Sequence, residues 1–250
     1  MAKIRVKGDT SGYIDIAAPD VAGAATVNLD KIPQTDQTVN FTNNVGIGVA
    51  SPTQKLHVES AGANYILTRD STSGGVAGII MQNGSDTRGI RINNATTEIY
   101  DHSAGVARVL VDASGRVTMP YQPMFRAALQ NTQTSAGTVV FNSIRYQVGN
   151  HYNNSTGFFT APVAGRYQFN LVWLTENNAN EGNAELRKNN ADVIFRTRCG
   201  RSSGHKTTTG TAVVDMVAND TASIYFDGGG SQFYGDANLF WTVFSGYLIG

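Results

Sequence analysis

Cysteine is almost missing from this chain of 250 residues: Cys199 stands alone, so no intrachain disulfide can form and small disulfide-stapled scaffolds are excluded. Synthesis in a reducing compartment fits that usage. Charge is sparse and balanced, with 19 Lys+Arg against 19 Asp+Glu and a formal net charge of +0, which removes bulk attraction to nucleic acid or to an anionic membrane. No apolar run approaches the roughly 18 residues a membrane-spanning helix needs. Met1–Ala2–Lys3–Ile4–Arg5 is not followed by the apolar block of a secretion signal. The expectation is a chain that neither inserts into a membrane nor enters a secretory route.

The residue patterns of common catalytic chemistry are missing as well. His57, His102, His151 and His205 are far apart and lack H-x-x-x-H or Cys/His spacing, so no zinc site is written here. There is no Walker-type loop. Gly228–Gly229–Gly230 runs into Ser231–Gln232–Phe233–Tyr234 without a helix start, which reads as a loop rather than a phosphate cradle. A glycosidase needs two carboxylates about 5–9 Å apart in a groove. The candidates Asp215, Asp220, Asp227 and Asp236 sit beside Gly, Asn or Thr and look like turn formers. Oxygen-rich loops of this kind would suit calcium, but no ligand spacing marks a site. The chain is expected to be no enzyme and to carry no cofactor.

What is present is the vocabulary of an all-β protein. Glycine occurs 27 times, and abundant Thr, Asn, Ser and Val favour short strands broken by turns. Tyr167, Phe169, Leu171 and Trp173 alternate with Gln168, Asn170 and Val172, the period-two pattern of a strand with one buried face. Leu186 to Phe195 reads as a hairpin, because Asn189 and Asn190 can take the positive φ of a two-residue primed turn. Gly157, Pro162 and Gly165 mark turns around these strands, whose aromatics are expected to form a sandwich core.

Three zones follow one another along the chain. In the first, Ile4–Arg5–Val6–Lys7 and Tyr13–Ile14–Asp15–Ile16 flank a polar turn and predict a hairpin. Beyond it, Ala17–Ala18–Pro19 and Val21–Ala22–Gly23–Ala24–Ala25 are too small to build a core unaided, so this end is expected to gain order by docking. In the middle zone, β-type runs recur at Leu56–Val58, Tyr65–Leu67, Gly78–Met81, Ile90–Ile92, Glu98–Tyr100, Val109–Val111 and Arg116–Thr118. Each can bury only a few side chains. Stacking or intertwining three copies would supply the missing interior; the competing expectation is a small β-domain with its own closed core. Pro120 and Pro123 then block both helix and central strand and predict a stiff neck.

Two resemblances sharpen this reading. The stretch Tyr152–Asn153–Asn154–Ser155–Thr156–Gly157–Phe158–Phe159–Thr160–Ala161–Pro162–Val163–Ala164–Gly165–Arg166–Tyr167–Gln168–Phe169, with Gly137–Thr138–Val139–Val140–Phe141–Asn142 before it and Trp241 to Gly250 at the end, closely resembles the globular heads of the C1q and tumour-necrosis-factor superfamily. That resemblance implies a jelly-roll sandwich that associates as a homotrimer and binds partners without catalysis. Val45–Gly46–Ile47–Gly48–Val49–Ala50–Ser51–Pro52–Thr53–Gln54–Lys55–Leu56–His57–Val58 is similar to a segment of bacteriophage tail fibres whose usual form has Thr where this chain has Val49. Leu110 to Pro123 also resembles the linker before C1q-like heads in phage structural proteins.

Together the resemblances imply an all-β, non-enzymatic phage virion protein. Residues 1–43 are expected to be an N-terminal virion-docking segment, 44–119 a β-rich stem and 120–250 a C1q-like jelly-roll head. The implied role is a trimeric tail-fibre or spike-type appendage for host attachment, made in the bacterial cytoplasm and carried on the virion. Its expected partners are two further copies, other virion proteins, and a host surface glycan or protein. The alternative is a capsid or tail connector that binds only virion proteins. Arg196, Arg198, Arg201 and Lys206 cluster around one strand end, where alternation sends Arg196 and Arg198 to the same side. Arginine forks suit the phosphate and carboxylate groups of bacterial glycans, which makes these four the candidate glycan- or partner-binding residues. Ion pairs or a solvated strand face are the plainer reading.

Overall fold

Alternating apolar residues and frequent turn formers produce strands and no helices among the described residues, which in this computed structural model are 3–7, 13–17, 45–47, 51, 53–58, 66–72, 74–176, 181–200 and 203–250. The protein is all-β and divides into two compact units, Met1–Leu67 and Thr68–Gly250.

In the first unit, β1 (Lys3–Lys7) pairs antiparallel with β2 (Tyr13–Ala17), with Ile4 opposite Ile16 and Val6 opposite Ile14. This is the hairpin expected there. Strands β3 (Val45–Ile47) and β4 (Leu56–Val58) pair in parallel. The Ala- and Gly-rich stretch expected to dock, 18–43, lies outside the described residues.

The second unit opens with a five-stranded meander of β5 (Val76–Asn83), β6 (Asp86–Asn93), β7 (Thr96–Asp101), β8 (Val106–Val111) and β9 (Val117–Thr118). Two-residue turns join its first three strands. Gly84 and Asn94 supply the positive φ these tight hairpins need, at 60° and 52°. One expected run fails: Ile66 and Leu67 form no strand, and Tyr65 lies outside the described residues. A short apolar run has strand propensity but becomes a strand only where a partner supplies the ladder. Nor do the described residues of this zone form a closed core of their own: across all described residues, the buried apolar side chains lie at or beyond Phe125. The meander is a single layer.

Met119 to Pro123 forms no strand and makes a turn, with the Gln122 N–H donating to Met119 O at 3.0 Å. The Gln122 amide reaches Leu248 O at 2.8 Å, and the Leu248 N–H donates to Pro123 O at 3.0 Å, so the neck is fastened to the last strand of the chain.

The remaining strands are β10 (Met124–Ala128), β11 (Gly137–Thr138), β12 (Ser143–Val148), β13 (Tyr152–Asn153), β14 (Phe158–Thr160), β15 (Gly165–Thr175), β16 (Gly182–Lys188), β17 (Asp192–Cys199), β18 (Lys206–Met216), β19 (Thr221–Phe226) and β20 (Val243–Leu248). They form two antiparallel sheets, ordered β12-β10-β20-β15-β18 and β13-β14-β19-β16-β17, with β11 also on β19. In β15, Tyr167, Phe169, Leu171 and Trp173 are buried while Gln168, Asn170 and Val172 face outward, as their alternation demands. Phe125 is central, its ring stacked at 4.6 Å on Tyr152 and 5.3 Å on Phe159 and edge-on to Phe244 at 5.1 Å. Gly246 makes room for this cluster: a Cβ there would fall 2.5 Å from the Phe169 ring. Cys199 is buried in the same core.

The hairpin at Asn189 and Asn190 forms as expected, with φ of 52° and 57° and the Ala191 N–H donating to Lys188 O at 3.1 Å. A bulge at Leu186 and Arg187 then resets the register.

Candidate binding surfaces

The two sheets of the sandwich present different outward faces. On the β13-β14-β19-β16-β17 sheet, register places Glu185 beside Arg196 on one neighbour and Tyr225 on the other. Glu185 is buried and accepts hydrogen bonds from Arg187 Nε and Arg196 Nε, both at 2.7 Å. The Arg187 guanidinium lies 3.5 Å from the centre of the Tyr225 ring. Burial pushes the Glu185 carboxyl up, but the hydrogen bonds and charges of the two arginines outweigh it and hold the group below its ordinary value. Arg198, farther along β17, pairs with Glu181.

Of the four residues singled out in the sequence, Arg196 and Arg198 do lie on one exposed side of β17, each already joined to a carboxylate. Lys206 opens β18, opposite Thr175, and Arg201 lies outside the described residues. The sequence pattern did not reveal Glu185, the acid that organises this face. It sits 11 positions from Arg196, and only the strand register brings the two together.

The outward face of the β12-β10-β20-β15-β18 sheet carries little charge: Arg126 on β10, opposite Tyr146 and Ser245, and an Arg–Asp pair at one edge. Its centre carries Tyr247, Gln168 and Asn170, linked by hydrogen bonds from Tyr247 OH to Gln168 Oε1 at 2.9 Å and from Gln168 Nε2 to Asn170 Oδ1 at 3.2 Å. Around them Tyr146, Val172 and Val213 are exposed. A shallow cavity of about 350 Å³ opens among Met124, Tyr146, Asn170, Ser245 and Tyr247. Arg166 and Asp215, paired at 3.1 Å, close one edge.

A third surface lies at the end of the sandwich away from the neck. The 11 residues of β15 carry the chain roughly 35 Å, from Gly165 near the last strand's end to Thr175 beside Lys206. There Trp241, 48% exposed, joins Tyr234, His205, Leu174 and Thr207 around a cavity of about 360 Å³. An aromatic wall with a few polar groups suits a small organic ring better than an ion.

The four aspartates considered as catalysts are dispersed and engaged. Asp220 accepts from Lys188 Nζ at 2.9 Å and Asn189 Nδ2 at 2.8 Å, Asp227 bonds Asn183, and Asp236 accepts from the N–H groups of Asn238 and Leu239, both at 2.7 Å. These are turn and ladder contacts, as their neighbours in sequence suggested. Among the described residues no group of three or more His, Cys, Asp or Glu side chains is placed to hold a metal ion.

Two stacked antiparallel sheets with this strand order, entered and left at the same end, define a jelly-roll binding module. The C1q domain model matches residues 124–249, and the chain belongs to that family. Such domains are in general binding or structural modules, often trimeric, rather than enzymes. Among solved structures the chain is similar to the globular domain of zebrafish complement 1qA protein, with 21% identity over 52% of this chain and 98% of that one and a TM-score of 0.43. It is also similar to murine APRIL, with 9% identity over 51% of this chain and 99% of that one and a TM-score of 0.41.

Proposed function

We propose that this protein is the subunit of a homotrimeric bacteriophage appendage of the tail-fibre or spike type, carried on the virion, that attaches to the host surface and catalyses nothing. One observation carries the trimer: the outward face of the β12-β10-β20-β15-β18 sheet carries exposed Tyr and Val and little charge beyond Arg126 and the Arg166–Asp215 pair, whereas the other sheet's outward face is covered by its own ion pairs. A surface of the first kind gains by burial against copies of itself, and one of the second kind is content in water. The phage setting draws on the likeness of Val45 to Val58 and of the linker Leu110 to Pro123 to virion proteins.

In this reading residues 1–43 dock to other virion proteins, 44–119 form the stem and 120–250 the head. The cavity of Trp241, Tyr234 and His205 meets a host glycan, and Arg196, Arg198, Arg201 and Lys206 are the residues proposed to meet its acidic groups. Three equivalent tips add weak contacts through avidity.

The test is twofold. Sedimentation equilibrium of the purified chain is expected to give a trimer that persists on dilution, and the labelled trimer is expected to bind host cells. Reversing the charges of Arg196 and Arg198 should reduce that binding without changing the trimer. A monomer overturns the assembly, and unchanged adsorption by the reversed variant overturns the tip assignment. A trimer that ignores cells but binds purified virion proteins would favour a connector.

A further inference from the structure

The stem sheet has its apolar side in water. Strand register sorts its side chains into two faces, because residues directly opposite one another point the same way. Ile79 faces Ile90, Ile90 faces Ile99 and Ile99 faces Val109, an aliphatic row across four strands. Ala77, Ile92, Thr97, Val111 and Val117 form a parallel row beside it. The side chains of Ile79, Ile90, Ile92 and Ile99 are each 49–55% exposed, with nothing among the described residues laid over them.

The opposite face covers itself. There Arg91 Nε bonds Glu98 Oε2 at 2.6 Å, the guanidinium lies 3.2 Å from the centre of the Tyr100 ring, and Glu98 is buried. On the aliphatic side, at one margin of the sheet, Asp101, also buried, is held by Arg88 at 2.8 Å and Arg108 at 2.9 Å. An isolated antiparallel sheet in water would be stable with its polar face out and its apolar face against a core. This one has satisfied its polar side internally and left the apolar side open.

We infer that the Ile79–Ile90–Ile99–Val109 face is the inner wall of a shaft, packed against the same face of other copies of this chain. The inference rests on the trimeric reading of the head but concerns a different surface. Three features identify a second copy as the occupant. The two aliphatic rows carry no charge, and the charges that bound them on the same face, Arg88, Asp101 and Arg108, are paired with one another, so the face offers no net sign for a charged partner to complement, and like aliphatic ridges fit one another. Five strands about 4.8 Å apart and some six residues long make a face of roughly 400 Å², the size at which an apolar patch marks an interaction site. Three such faces turned inward take on the order of 1,200 Å² out of water in the whole assembly, an area that adds to the contact between the heads. The stem also runs through a neck hydrogen-bonded to β20, and β20 contributes Tyr247 to the weakly charged face of the head. The two surfaces lie one after the other in a single compact unit.

Single cysteines test this in the full chain, because the native Cys199 is buried. Ile90→Cys and Ile99→Cys place a thiol on the inner face, while Ile80→Cys, at a residue 62% exposed on the other face, is the control. In a chain that sediments as a trimer, a short bis-maleimide is expected to link the two inner variants into covalent dimers and leave the control unlinked. A monofunctional maleimide is expected to label the inner thiols at least about ten-fold more slowly than the control, as burial protects them. Inner thiols as reactive as the control in a trimer overturn the stem inference and leave the trimeric head standing. Slow labelling without cross-linked dimers also overturns it, since something other than a second copy then covers the face. A monomer with fast-reacting inner thiols overturns both.

Discussion

In the head, the largest side chains lie between two sheets, with Phe125, Phe141, Phe159, Phe169 and Trp173 all fully buried. In the stem, the apolar residues stand on one sheet with nothing among the described residues opposite them. The strands themselves are alike in both regions: short, antiparallel and joined by turns at Asn and Gly. What differs is the number of layers. A second layer lets one chain bury aromatic rings of its own, so the head can fold as a subunit and then assemble. A single layer of isoleucines has no interior of its own, so on the proposed packing of copies the stem would fold only as it assembles.

The largest effect that would break this contrast lies in the head core. Phe125→Ala removes a ring in contact with Tyr152, Phe159 and Phe244, and it is expected to cost about 3–5 kcal/mol in urea unfolding. The stem amides should lose little protection in hydrogen exchange. If stem and head instead melt together in the wild-type protein and in the variant, the two regions are one cooperative unit and the comparison fails.

Next in size is the stem itself. Ile99→Thr on a water-exposed sheet would change stability by no more than about 0.5 kcal/mol. On a face packed against other copies it loses buried apolar area and gains a buried hydroxyl, and it is expected to cost about 1–3 kcal/mol. Unfolding measured across a range of protein concentrations separates the cases. A deficit that grows on dilution belongs to the assembled face, and a concentration-independent change under half a kilocalorie would place that face in solvent.

An effect of similar size but confined to the head is expected from Tyr152→Phe. The buried Tyr152 hydroxyl accepts the Phe141 N–H at 3.1 Å, and burial pushes the phenol's pKa far up. Removing the oxygen leaves a buried N–H unpaired, at about 1–3 kcal/mol. The loss should appear in head stability alone, with labelling of the inner stem thiols unchanged.

Much of the head was legible because its signals are local. The alternation from Tyr167 to Trp173 states which side of β15 is buried without reference to any other strand, and Asn189–Asn190 states where the chain reverses. What stayed hidden depends on register. Arg196 and Arg198 could be put on one side of a strand, but their partners Glu185 and Glu181 could not be named, because pairing between β16 and β17 decides who stands opposite. The four-strand row through Ile79 and Ile99 is invisible for the same reason. Each run shows one or two isoleucines, and only three consecutive pairings show that they share a face. Ile66 and Leu67 err the other way, with strand-forming residues and no strand opposite.

The smallest expected effect concerns acid, and it should appear in both regions. Asp220 in the head is held at about 2, first by its hydrogen bond from Lys188 and then by those from Asn189 and the Val217 N–H. Asp101 in the stem is held below its ordinary value chiefly by Arg108, with Arg88 adding its charge. In both cases the folded state binds its proton more weakly than the unfolded chain. Between the ordinary carboxylate range near 4 and the lowered value, the unfolded chain therefore takes up more protons, and stability falls as pH falls. Above that window the contribution is fully present. Asp220→Asn should flatten the acid limb of head unfolding, and Asp101→Asn that of the stem, read as midpoint against pH from 5 down to about 2. If each substitution moves only its own region's limb, the two regions titrate independently, as the single-layer and double-layer description requires. If Asp101→Asn also moves the head's limb, the stem's ion-paired margin and the sandwich are coupled through the neck.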